Sequence, residues 1–374
     1  MKENPLLSIQ KFGQSIWLDF IARKMIKSGK LKKLIDEDGI RGVTSNPQIF
    51  KEAIAKGEEY ENDIRSLARK KEIYQTLTVD DIQQTADLFR PLYDSSDGRH
   101  GFVSLEVNPH LARDIDSTLE EARRLWFAVE RPNVLIKVPG TVEGLTCIQQ
   151  LISEGININV TLLFGLPRYR KVAEAYIAGM EARFQQNLPL ERVASVASFF
   201  LSRIDVLVDP LLEKWIEAGG DRANQARNLR GQIAIASARQ AYQIYKEIFK
   251  NGRFKPLARQ GARPQRVLWA STSTKNPDYS DVKYVEALIG PETINTMPQK
   301  TLDAYRDHGN PAGRLEEDLN KAAEIFHKLS ELDIDIDEQT RQLEDEGIRK
   351  FIEPYDSLMT VLEEKRNQIA GTGS

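Results

Sequence analysis

The chain has 374 residues, of which 41% are hydrophobic and 29% charged, enough for one large domain with a sizeable core. A formal net charge of −3 gives no global positive field and so argues against nucleic acid or an anionic membrane surface as a partner. Cys147 is the only cysteine, no apolar run is long enough to span a bilayer, and Met1 to Leu7 carry no secretory leader, so disulfide frameworks are excluded and a cytoplasmic setting is expected.

Taken in order, Ile16 to Phe20 reads as a short strand carrying one acid, Asp19, and Ile21 to Ile35 has a helical period ending at Asp38-Gly39. Arg41 to Asn46 is a second strand. Pro47 begins a long, charged helical region, and Thr78-Val-Asp-Asp81 predicts the cap of a further helix. A turn from Ser95 to Gly98 precedes a third strand, His100 to Val107, and a helix capped by Ser117, with Glu120 in capping-box spacing, leads to the fourth, Asn133 to Gly140. The unit then repeats: helix to Gly155, strand Asn157 to Phe164, helix Pro167 to Gln186, strand Arg192 to Phe200, helices to Phe249, strand Arg266 to Thr272, helix to Gly290 and strand Thr293 to Met297. Such regular alternation predicts an α/β fold, a (β/α)8 TIM barrel, over residues 1–310. From Gly313 the pattern becomes charged amphipathic helix broken near Asp333 to Asp337. Residues 311–374 are therefore expected to be a helical extension packed on the barrel, with a partner-binding arm as the alternative.

Lys137 lies inside the apolar, β-branched run Asn133-Val-Leu-Ile-Lys-Val-Pro-Gly140, close to the carboxyl end of a strand, where barrels place their chemistry. An ammonium is costly to bury, which favours the neutral, nucleophilic amine needed to form a Schiff base with a carbonyl. The structural alternative is a lysine that snorkels outward or pairs with a carboxylate. Cys147 falls on an apolar helix face just after this strand and reads as core.

Side-chain alternation adds a polar set. Ser104, Glu106 and Asn108 share one face of the third strand, opposite Val103, Leu105 and Val107. In an antiparallel sheet that face would simply meet solvent, but in a barrel the apolar set must meet the helices, which turns Glu106 inward. Asn159 and Thr161 share a face on the fifth strand, and Thr44 and Asn46 on the second. Each alone reads as a satisfied turn or core residue; together they describe a polar mouth around an amine, suited to a polyhydroxy ligand. Arg203 after the sixth strand and Lys275 after the seventh occupy positions where barrels often hold phosphate.

The segments Thr44-Ser-Asn-Pro47, Ser104-Leu-Glu-Val-Asn-Pro109, the Lys137 strand, Asn159-Val-Thr161 and Trp269-Ala-Ser-Thr-Ser-Thr-Lys-Asn-Pro277 lie in order on successive strands. In these motifs the sequence resembles the transaldolases, specifically the longer bacterial type with a C-terminal helical extension. The resemblance implies transfer of a dihydroxyacetone unit between sugar phosphates in the non-oxidative pentose phosphate pathway, without a cofactor. It implies that Lys137 forms the imine, Asp19 takes the C4 hydroxyl proton, and Glu106 acts as acid and base through a water held with Thr161. Asn46 and Asn159 would bind the dihydroxyacetone unit, Ser198 and Phe200 would line the pocket, and Arg203, Ser271 and Lys275 would hold phosphate. In related fructose 6-phosphate aldolases a tyrosine stands at the position matching Phe200, and phenylalanine favours transfer over release. Lys275 departs from shorter members, which carry an arginine there; lysine binds phosphate as a point charge.

Two rival readings are a Schiff-base sugar-phosphate aldolase, which would release free dihydroxyacetone, and a barrel that only binds sugar phosphates around a structural lysine. The four histidines fall in no ligand motif, so no metal site is expected. Sugar phosphates are the expected partners, without nucleic acid or membrane, for a monomer or homodimer.

Overall fold

The computed structural model describes residues 4–67, 73–250 and 252–371. Residues 68–72 of the helical region predicted after Pro47 lie outside the described residues, as do the outermost ends of the two expected spans. Eight parallel strands close into a barrel in chain order: β1 (Gln14–Leu18), β2 (Gly42–Val43), β3 (Phe102–Glu106), β4 (Val134–Pro139), β5 (Ile158–Leu163), β6 (Ser195–Phe200), β7 (Arg266–Ala270) and β8 (Thr293–Met297), with β8 returning to β1. Helices separate the strands, as the alternation predicts. Because helices cover the outside and side chains fill the inside, both strand faces are buried for most of their length.

The differences from the sequence reading are local and have local causes. The second strand stops at Val43 because Asn46 turns out to cap the helix Pro47–Lys56, its Oδ1 accepting from the Ile49 amide at 3.0 Å. Within this short strand Gly42 admits the indole of Trp17, whose ring lies 2.5 Å from where a Cβ would stand. Thr78 does not start a helix. One helix runs continuously over Ile73–Ser95, and the Thr78 hydroxyl donates back to the carbonyls of Tyr74 (3.0 Å) and Gln75 (3.1 Å). Nor does Ser117 cap its helix: the cap is Asp114, whose Oδ1 accepts from the Ser117 amide at 3.0 Å, a carboxylate at the positive end of the helix dipole. After β7 the expected helix is reduced to one turn, Lys283–Glu286.

The tail forms two helices, Leu319–Ser330 and Ile336–Gly371, broken where the sequence places the break. Leu343, Phe351 and Leu358 of the last helix belong to the same buried apolar cluster as the strands. Among the described residues no helix is long and apolar enough to cross a membrane.

Candidate active site

The barrel register sets the centre of the site. Glu106 on β3 is the neighbour of Lys137 on β4, and Lys137 in turn is the neighbour of Asn159 on β5. Lys137 Nζ donates to the Ser45 carbonyl at 3.1 Å and to Glu106 Oε2 at 3.3 Å, with both side chains about one-twentieth exposed (5% and 6%). The lysine is thus paired with a carboxylate, as the structural alternative required. The amine, however, lines a chamber instead of being sealed in the core, while Glu106 lies buried behind it.

Asp19 stands one residue past β1, its amide bonded to the Met297 carbonyl at 2.8 Å. Thr44 donates its hydroxyl to Asp19 Oδ1 at 2.6 Å and lies 2.7 Å from the Thr296 hydroxyl, a relay of two hydroxyls ending on the carboxylate. Burial pushes the Asp19 carboxyl above its ordinary range, while the Thr44 hydrogen bond and the charges of Lys137 and Lys275 oppose the rise. Glu106 is raised in the same way by burial, with Lys137 opposing. Two acids with a weakened preference for the charged form therefore flank one amine, an arrangement suited to moving protons.

The chamber measures about 430 Å3 and is lined by Asp19, Thr44, Asn46, Lys137, Ser198, Phe200, Arg203, Ser271 and Lys275 among others. Asn46 has its oxygen occupied by the helix cap, so its amide nitrogen is the group left to meet a ligand. Glu106, Asn159 and Thr161 are buried and stand outside the lining. Asn159 holds Ser104 Oγ at 3.0 Å and accepts from Ser198 Oγ at 2.7 Å, while Thr161 Oγ1 has no hydrogen-bond partner among the described residues. At the other end of the chamber Arg203 Nη1 is buried and likewise without one. Ser271 adopts a left-handed φ of 55° and lies hydroxyl to hydroxyl with Ser202 at 2.8 Å, and Lys275 Nζ donates to Ser273 Oγ at 3.0 Å. Burial and the nearby Arg203 charge lower the Lys275 amine, with Asp19 opposing.

The sequence profile of the family described as Transaldolase/Fructose-6-phosphate aldolase matches residues 16–362. The chain belongs to this transaldolase family. A transaldolase of Trichodesmium erythraeum is 47% identical over 373 residues, covering 98% of each chain. Transaldolase 2 of Nostoc punctiforme is 45% identical with the same coverage, and the transaldolase of Thiobacillus denitrificans is 45% identical over 94% of this chain and 97% of its own. The protein is accordingly an enzyme with transaldolase activity, a transferase built on a TIM barrel.

Two features of this chamber escape a reading of the sequence. The Thr296 hydroxyl reaches Thr44 from β8, a partnership that only barrel closure creates. Lys350, Phe351 and Pro354 of the terminal helix also line the chamber, although the tail reads only as an amphipathic extension. A second cleft of about 570 Å3 lies beside Arg23, but its charged centre is structural: Arg23 is buried and bonded to Asp81 (2.7 Å), Asp80 (2.7 Å) and Asp63. Cys147 is buried and burial pushes its thiol up to about 11, as befits a core residue.

Proposed function

We propose that Lys137 is the Schiff-base lysine of a dihydroxyacetone transfer from sedoheptulose 7-phosphate or fructose 6-phosphate to glyceraldehyde 3-phosphate or erythrose 4-phosphate, in the non-oxidative pentose phosphate pathway. The observation that carries this reading is the Lys137 amine buried 3.3 Å from Glu106 in a chamber that Asp19 also lines. The amine attacks the ketose carbonyl carbon. Glu106 then supplies and removes protons as water leaves, through a water held with the unpartnered Thr161 hydroxyl. The iminium withdraws electrons from the neighbouring bond, Asp19 takes the proton of the C4 hydroxyl, and the bond between C3 and C4 breaks to leave an enamine on Lys137. An acceptor aldehyde reverses these steps. Asn46 and Asn159 orient the three-carbon unit against Ser198 and Phe200, and Arg203, Lys275 and Ser271 hold the phosphate, for which Arg203 Nη1 is an available buried donor.

Residues 1–310 make the catalytic barrel and 311–374 an extension packed on it, a division supported by Trp215 Nε1 donating to the Leu332 carbonyl at 3.0 Å and by Arg168 pairing with Glu344 at 3.0 Å. The net charge of −3 and the single cysteine support a cytoplasmic enzyme without nucleic-acid partners.

Incubation with fructose 6-phosphate followed by borohydride reduction and peptide mapping tests the mechanism. A three-carbon adduct on Lys137 is expected. A folded enzyme that is active but unlabelled, or labelled on another lysine, contradicts it. The aldolase alternative is separated in the same preparation by whether dihydroxyacetone accumulates without an acceptor.

A further inference from the structure

The terminal helix Ile336–Gly371 is seated on the catalytic end of the barrel by one of its faces. Thr340 packs at Gly165, where an added Cβ would stand 2.7 Å from the threonine hydroxyl. Glu344 forms a largely buried pair with Arg168 at 3.0 Å. Gly347 lies against the end of β5, with Leu162 Cδ2 only 3.0 Å from where its Cβ would be, so the helix packs closely on the strand here and an added Cβ would need the leucine side chain to give by a few tenths of an ångström. These positions recur at helical spacing, and the next on the same face is Phe351. Its side chain is buried at 5% exposure, with the ring centroid 5.4 Å from Lys137 Nζ and 6.0 Å from Arg203 Cζ. Phe200 stacks on the same guanidinium from β6 at 5.7 Å. The ring therefore spans the amine and the phosphate-side cation, over the ground where the three-carbon unit must sit.

We propose that Phe351 is a specificity-determining residue, through which the C-terminal helix keeps water from the enamine and so directs the enzyme to transfer instead of release. This rests on the Schiff-base reading of Lys137. The enamine carbon has two fates. It can attack the aldehyde carbon of an acceptor, forming a carbon–carbon bond while the aldehyde oxygen takes a proton. Alternatively it can itself take a proton, returning an iminium; water then adds to the iminium carbon, the carbon–nitrogen bond breaks, and free dihydroxyacetone leaves with the lysine amine restored. The second path needs water at the carbon during the interval before an acceptor arrives. A phenyl ring packed over the amine occupies that space and offers no hydroxyl to relay a proton.

The discriminating quantity is the ratio of dihydroxyacetone released from fructose 6-phosphate alone to transfer onto erythrose 4-phosphate. Phe351→Ala is expected to raise this ratio by about tenfold or more, the change corresponding to ~1.4 kcal/mol between the two barriers. Phe351→Leu, which keeps apolar bulk, is expected to restore most of the wild-type ratio. Leu358→Ala removes a fully buried residue of the same helix that is outside the chamber lining, and controls for loosened helix docking. A ratio left unchanged in Phe351→Ala, or raised equally by Leu358→Ala, overturns the proposal. Borohydride trapping on Lys137 in wild type and variant separates the two readings: with the adduct present and the ratio flat, only the role of Phe351 falls, whereas no adduct in wild type removes the mechanism beneath it.

Discussion

Thr44→Val would remove one hydroxyl from the Asp19 carboxylate while nearly preserving the shape of the side chain. The hydroxyl donates at 2.6 Å, within the range of charge-assisted O–H···O contacts, and it is the side-chain hydrogen bond that opposes the effect of burial on Asp19. Hydrogen bonds to charged groups contribute about 1.5–3 kcal/mol. If Asp19 must be ionised to accept the C4 hydroxyl proton, losing that bond destabilises the active form. The expected result is a roughly ten- to hundredfold fall in kcat/KM on the acid side of the profile, with the acid limb displaced to higher pH. Steady-state kinetics with fructose 6-phosphate and erythrose 4-phosphate across pH reads both effects. Thr296→Val, one hydrogen bond further from the carboxylate, serves as a graded control with a smaller displacement in the same direction. An acid limb that stays in place in Thr44→Val would refute the assignment of Asp19 as the base tuned by this relay.

Other perturbations follow from the same geometry. Burial raises the Glu106 carboxyl above its ordinary 4.5, so its contribution to stability is fully present below that value and is lost as pH rises through the folded-state value. Relative to wild type, Glu106→Gln should therefore gain thermal stability on going from acid to neutral pH, and unfolding scans in which the variant instead loses ground would contradict the burial argument. Arg203→Gln and Lys275→Met should each raise KM for a phosphorylated donor roughly ten- to hundredfold, from the ~1.5–3 kcal/mol of a charge-assisted contact, while hardly changing turnover of unphosphorylated fructose. Equal losses on both donors would place these cations outside the phosphate site.

Much of the molecule could be read from local pattern. Alternating apolar and polar positions located the strands, and the lysine inside β4 is anomalous enough to mark the end of the barrel at which the chamber opens. The inward turn of Glu106 followed from alternation plus the barrel, and the register confirms the pairing with Lys137. The errors arose where one residue type serves two local purposes. Thr78 bonds backward within a helix instead of capping one, and Asp114 outcompetes Ser117 for the cap because a carboxylate also meets the helix dipole.

What the sequence determined by itself was the order and type of the elements and the chemical inventory along each strand, because a period of two or of 3.6 residues is a property of neighbouring dihedral angles. Only the tertiary structure decided which distant groups meet. Barrel closure brings Thr296 to Thr44 and so completes the support of Asp19. Likewise, the approach of the last helix, allowed by Gly347 and held by the Arg168–Glu344 pair, sets Phe351 over Lys137. Amphipathic periodicity shows that a helix has a face to bury, but the surface that receives it depends on steric fit between elements far apart in the chain, which no local pattern encodes.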